Sequence, residues 1–220
     1  MGRVYALKTV RVFFKKLGRM KFISHLDMTR FMSRLITKSQ IPVWYTEGFN
    51  QHIYMNFALP LSLGFEGMYE ILEIRLNDDE YSNEACLEAL KRVSPPDIEF
   101  VRVAEPKMPM KDIAFAEFVL DFGDNISAIK EKLTEFLNRD SIICEKKGKK
   151  GKIKEIDIIP KIASFSFQND KLVLCLTAGN EDNLNPSLVM DTFFAQTETE
   201  ELFYSVTRTA ILDKNKKIFE

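Results

Sequence analysis

The apolar positions along this chain switch between a period of two and a period near 3.6, and the switches define its elements. VRVFFKK (10–16) alternates weakly and is rich in β-formers, which predicts a strand. Leu17-Gly18-Arg19 reads as a bend, with 20–23 continuing extended. Ser24 reads as a helix N-cap, with Asp27 in the acidic place of a capping box. Met28, Phe31, Met32, Leu35 and Ile36 keep helical spacing to about Ser39, while Asp27, Arg30 and Arg34 share another face. Ile41-Pro42 ends that helix. Residues 43–61 read as a strand interrupted at Gly48, or as a strand and a loop. MYEILEIRL (68–76) alternates as a strand, 82–93 is a helix capped by Ser82 or Asn83 and closed by Pro95-Pro96, and IEFVRVAEP (98–106) is a further strand. The order is β-α-β-β-α-β, the ferredoxin-like plan.

The second half repeats the order with more noise. FAEFVLDF (115–122) is a strand, and 127–138 is a helix with apolar Ile129, Leu133, Phe136 and Leu137. Residues 142–145 and 153–159 flank a lysine-glycine tip like the arms of a hairpin, and 161–167 offers a further strand. KLVLCLTA (171–178) is a strand, Asn185-Pro186 opens a short helix, and LFYSVTRTAIL (202–212) is the closing strand. The final KNKKIFE reads as frayed. The chain is therefore expected to be α+β, with two ferredoxin-like halves in tandem. The first, 1–107, carries the SHLD and GFNQH motifs, and the second, 108–220, carries the lysine-glycine hairpin.

Composition changes this picture little. No run approaches the roughly 20 apolar residues of a membrane span. MGRVYALKTV lacks an apolar signal core, so a cytoplasmic protein with no membrane association is expected. Cys86, Cys144 and Cys175 are far apart with no CxxC spacing, which argues for buried thiols and for no metal or other cofactor on this chain.

Charge changes it more. The net charge is only −1, yet residues 1–46 hold ten Lys or Arg against the single acid Asp27. EKKGKKGKIK (145–154) adds six lysines against one glutamate. Such segregation predicts basic surfaces on an acidic body, with RNA as the first candidate partner.

Both histidines of the chain fall in or near the basic N-terminal stretch. His25 opens the first predicted helix near Arg19, Lys21, Ser24 and Arg30. A helix start offers free N–H groups and a positive dipole end to phosphate. His25 there is either an acid–base group or a packing residue. His52 closes GFNQH, in which Gly48 permits a positive φ and Asn50 can bond a base edge. Trp44, Tyr45, Phe49 and Tyr54 are aromatic faces suited to stacking bases, but core packing is the preferred reading. Lys146, Lys147, Lys149 and Lys150 form a cationic finger that can follow phosphates without reading sequence. It lacks the spacing of a phosphate-cradling loop, and Asp157 after it has no assigned partner.

KLGRMKFISHLDMTR (16–30), PVWYTEGFNQHI (42–53), ALPLSLG (58–64) and KKGKKGKIKEIDI (146–158) together resemble the radical SAM-linked protein family. Gln51 and Ile53 depart from that pattern, where prolines are expected. The resemblance implies a radical SAM protein as partner, which would carry the radical chemistry. The expected function is a non-catalytic RNA-binding or substrate-presenting accessory to such an enzyme, in RNA modification. Its site residues are Arg19, Lys21, Ser24, His25, Arg30, Gly48, Phe49, Asn50, His52, Lys146, Lys147, Lys149 and Lys150. One alternative is a metal-independent RNA endonuclease of the CRISPR repeat-processing type using His25 with His52. Another is a small-molecule or protein-interaction module.

Overall fold

The computed structural model describes residues 6–147, 153–179 and 182–220. Two compact units emerge, one reaching to Asp112 and including Phe219–Glu220, the other spanning Ile113–Ile218. The fold is α+β, two ferredoxin-like halves in tandem.

In the first unit the order is β1 (Lys8–Lys16), α1 (His25–Ser39), β2 (Met55–Phe57), β3 (Glu66–Leu76), α2 (Asn83–Val93) and β4 (Ile98–Ala104). The strands pair antiparallel in the order β4-β1-β3-β2, the ferredoxin-like arrangement. Alternation in β1 sends Val10, Val12 and Phe14 to one face, where they meet Leu72, Ile74 and Leu76 of β3. Met28, Met32, Leu35 and Ile36 of α1 and Cys86, Ala89 and Leu90 of α2 close that face. Ser24 caps α1 by accepting from the Asp27 N–H at 3.1 Å, and Gln40 ends it in the left-handed conformation at φ 61°.

Residues 18–22 are a single 3-10 turn rather than extended chain. Gly18 takes φ 53°, a left-handed conformation that favours glycine, and a Cβ there would lie 2.7 Å from the Asp97 carboxylate, which would have to shift. The short apolar stretch MKFI fits either geometry by period alone.

The opposite face of the first sheet buries an ion pair. Arg11 of β1 is fully buried and donates from Nε to Glu73 of β3 at 2.8 Å. Its guanidinium also donates to the Met108 carbonyl and lies 4.5 Å from the Phe219 ring centroid. Phe219 is itself fully buried, and its carbonyl accepts from Tyr69 Oη at 3.0 Å. Glu220 bonds Lys107 at 2.5 Å and Arg102 at 3.1 Å, and its backbone carbonyl accepts from the Met108 N–H at 3.1 Å. The expectation of a frayed end is thus corrected. Lysine-rich composition predicts fraying, whereas one aromatic side chain and one carboxylate find partners in the first unit.

The second unit comprises β5 (Ile113–Asp121), α3 (Ile126–Leu137), β6 (Ile143–Lys147), β7 (Ile153–Asp157), β8 (Ile162–Gln168), β9 (Lys171–Thr177), α4 (Pro186–Gln196) and β10 (Ser205–Asp213). Its sheet order β10-β5-β9-β8 repeats that of the first unit, so residues 162–168 form a true member of the plan. Strands β6 and β7 form a separate two-stranded hairpin inserted after α3. Phe136 of α3 and Phe193 of α4 meet edge to face at 5.4 Å in the core. Asp157 is not a lone carboxylate. It accepts the Ile142 and Ile159 N–H groups, each at 3.0 Å, which closes the hairpin base and holds its carboxyl below the usual aspartate range.

The three cysteines are buried free thiols, and burial pushes Cys86 up to about 12. No helix among the described residues is long and apolar enough to cross a membrane.

Phe219→Ala should cost about 3–5 kcal/mol, the range for removing a buried phenyl ring, read as a lower urea midpoint. Glu220 adds a pH signature. Its hydrogen bond from Lys107, with Arg102 beside it, holds its carboxyl below the usual glutamate range. Its contribution is therefore present above about pH 4.3, the unfolded value, and is lost as pH falls through the depressed folded value. Glu220→Gln should flatten that acid limb in a pH series of urea melts.

Candidate functional site

The 43–57 segment runs beside β3, leaves it, and returns. Val43 bridges Leu76, and the Trp44 N–H donates to the Arg75 carbonyl at 2.8 Å. Tyr45 bridges Ile53, and the Thr46 N–H donates to the His52 carbonyl at 2.8 Å before β2 rejoins β3. The result is a hairpin-like loop with Gly48 at φ 120°. Phe49, near its tip, is fully exposed.

His52 is fixed within this loop. Its Nδ1 lies 3.0 Å from the Asn50 carbonyl and 3.1 Å from Thr46 Oγ1, while its backbone N–H donates to Thr46 Oγ1 at 3.2 Å. A carbonyl oxygen only accepts, so this network assigns the proton to Nδ1 and leaves Nε2 as the acceptor of the neutral ring.

The exposed side of α1 faces the same loop. Thr29, Arg30, Ser33 and Arg34 line a recess of about 540 Å³ with His52, Ile53 and Met55. Arg30 and Arg34 stand one helical turn apart, with side chains on one face. Arg30 shares an exposed ion pair with Asp27 at 3.3 Å, and Arg34 makes no ion pair among the described residues. Two guanidiniums and the Ser33 hydroxyl can donate to phosphate oxygens, His52 Nε2 offers an acceptor to a hydroxyl or amine, and Ile53 and Met55 supply apolar surface.

His25 belongs elsewhere. Its ring meets Phe57 edge to face at 5.2 Å. It lines a narrow space of about 10 Å³, the scale of one water, with Phe14, Met28, Leu59, Leu61 and the buried Lys16 and Glu70. The two histidines line different recesses and share no hydrogen bond or ring contact among the described residues.

The flanking cations are balanced in space. Arg19 is paired with Asp97 at 3.3 Å and Lys21 with Glu66 at 3.3 Å, acids that lie far along the sequence. Ser24 serves the helix cap, and its hydroxyl also donates to the Asp27 carboxylate at 2.7 Å. Gly48, Phe49, Asn50 and His52 share the loop, and Arg30 lies across the recess from it. Lys149 and Lys150 lie outside the described residues, as do the side chains of Lys146 and Lys147.

The core reading of the four aromatics is corrected. Trp44 and Tyr54 are half-buried with ring centroids 6.1 Å apart, and Arg75 lies 4.1 Å from the Tyr54 centroid and 5.5 Å from that of Trp44. Tyr45 and Phe49 are exposed. A short strand at a sheet edge has little core side to offer, so its large rings turn outward.

Arg34 is a groove residue that the motifs alone did not single out, although its spacing from Arg30 carries the signal. Lys16 and Glu70 had a signal too. Alternation places both on the core faces of their strands, where a charged residue is the informative exception.

Ser24→Ala should lower stability by about 1 kcal/mol through loss of the cap, measured by chemical denaturation, because its hydroxyl is committed to α1. Long-range proton–nitrogen NMR at high pH should show neutral His52 protonated on Nδ1. Thr46→Ala should loosen that preference without unfolding the protein.

Among solved structures, 21 chains match this one. One is a chain titled "Crystal Structure of a Cbf5-Nop10-Gar1 Complex", with 12% identity, a TM-score of 0.46, and coverage of 92% of this chain and 48% of that one. The present chain thus spans about half the length of that match. Another is a putative glycine cleavage system transcriptional repressor, with 14% identity, a TM-score of 0.26 and coverage of 91% and 96%. A third is an unknown protein from Galdieria sulphuraria, with 10% identity, a TM-score of 0.29 and coverage of 92% and 99%. No curated protein matches the chain. A family match covers residues 9–186, encompassing the recess, the His25 site and most of the second unit, and by it the chain belongs to the family described as uncharacterized protein conserved in bacteria (DUF2344).

Proposed function

We propose that this protein is a non-catalytic RNA-binding or substrate-presenting accessory to a radical SAM enzyme that modifies RNA. The recess between α1 and the 46–52 loop carries the reading. It joins Arg30, Arg34 and His52 in a space of about 540 Å³, open to an anionic ligand. Backbone phosphates supply most of the affinity in such an interface, and arginines are suited to them by their planar fork of donors. The accessory role is favoured by the condition of the two histidines. The His25 ring packs on Phe57 and His52 Nδ1 is held by its own loop, with the two rings in separate recesses. The radical SAM partner rests on the motif resemblance in 16–30, 42–53, 58–64 and 146–158.

Fluorescence anisotropy with a labelled single-stranded RNA tests the binding role. Affinity should fall steeply with salt. Arg34→Ala should reduce the slope of log K against log salt by about one, and Arg30→Glu with Arg34→Glu should abolish binding. Absence of binding at low salt, or indifference to the double charge reversal, would overturn the proposal. Co-purification of a radical SAM enzyme that survives ribonuclease treatment would support the partnership.

A further inference from the structure

We infer that Phe49 is a stacking platform for an unpaired base, so that the ligand of the α1 recess is a single strand rather than a duplex. This rests on the RNA-binding reading above and deepens it.

The loop holds an aromatic ring in water and is built to keep it there. Phe49 is fully exposed, yet both sides of its loop are tied by the Tyr45–Ile53 bridge and the bond from the Thr46 N–H to the His52 carbonyl. Inside the loop, His52 Nδ1 reaches the Asn50 carbonyl at 3.0 Å, one residue beyond Phe49. Gly48, one residue before it, takes a φ of 120° that other residues rarely adopt. A ring merely left over from a loose loop needs none of this.

Its aromatic neighbours differ. Trp44 and Tyr54 flank Arg75, so one face of each ring is already occupied. Phe49 has no ring or cation contact among the described residues. It stands three residues from His52, which lines the recess with Arg30 and Arg34. Two arginines one turn apart on α1 can take neighbouring phosphates, while the loop meets the base that those phosphates carry. A flat apolar ring beside a cationic groove has the chemistry of a nucleotide, which is anionic along one edge and aromatic on another. Bases inside a duplex are already stacked and do not offer a free face.

The experiment uses the full chain with three probes: single-stranded uridine-rich RNA, a blunt RNA duplex of equal length, and anionic phospholipid vesicles. Phe49→Ala should weaken single-strand binding about 5- to 150-fold, the effect of losing one base stack. Phe49→Trp should restore it. Duplex affinity and the salt slope should be unchanged by either substitution. A single strand carrying 2-aminopurine should change its fluorescence on binding, and Phe49→Ala should remove that change. The ring is exposed, so the variants should melt like the parent. If Arg30→Glu with Arg34→Glu abolishes binding while Phe49→Ala leaves it intact, the stacking inference fails and the RNA reading stands. If neither alters binding, the RNA reading itself fails. Equal weakening of single strand and duplex, or Phe49-dependent capture by vesicles without RNA preference, would also overturn the inference.

Discussion

The buried charge of Arg11 constrains the first unit more than any other group. Burying a guanidinium is tolerable only when it is paired and hydrogen-bonded, and here the partners come from distant parts of the chain. Glu73 supplies the carboxylate from β3, Met108 supplies a carbonyl from beyond β4, and Phe219 covers the planar face. Because β1 pairs with both β3 and β4, the requirement sits at the centre of the sheet. It holds that sheet in register while the other face packs on α1 and α2. The recess then follows, since α1 and the loop leaving β3 are both anchored to this sheet.

Charge has a different meaning along the chain and in space. The N-terminal stretch is overwhelmingly basic in sequence, yet Arg11, Lys15, Arg19 and Lys21 each meet an acid contributed by residues 66–99. A ferredoxin-like sheet makes this natural, because β1 is flanked by strands from later in the unit. Among the described cations of that stretch, Arg30 and Arg34 line the recess across from His52. A count of charges along the chain therefore overstates the basic surface that the fold presents.

Periodicity made the two-unit plan legible, including the helix cap at Ser24 and the weak strand at 162–168 that completes the second sheet. It could not resolve MKFI, a short run with Phe22 exposed and its other side chains only partly buried, which leaves no burial period to tell a turn from a strand. Nor could it foresee the sealing of Phe219, a contact that depends on tertiary position alone. At the candidate site, the GFNQH loop and the helix face were visible as separate motifs. Their meeting in one recess, the separation of His25 from His52, and the outward turn of the aromatics belong to the path of residues 43–57 past β3. No local rule encodes that path.

The burial of Phe219 also sets an order of events in the life of the chain. The ribosome makes the first unit first, and α1, β1 and β3 can find one another early. Yet the ring that covers Arg11 belongs to Phe219, which follows the whole of the second unit in the chain. Until residue 219 has left the ribosome, the first unit has its sheet but not the cover of its central ion pair. Its maturation therefore waits for the second unit to be synthesised, and the nascent protein passes through a stage in which a charged patch of its future interior faces water.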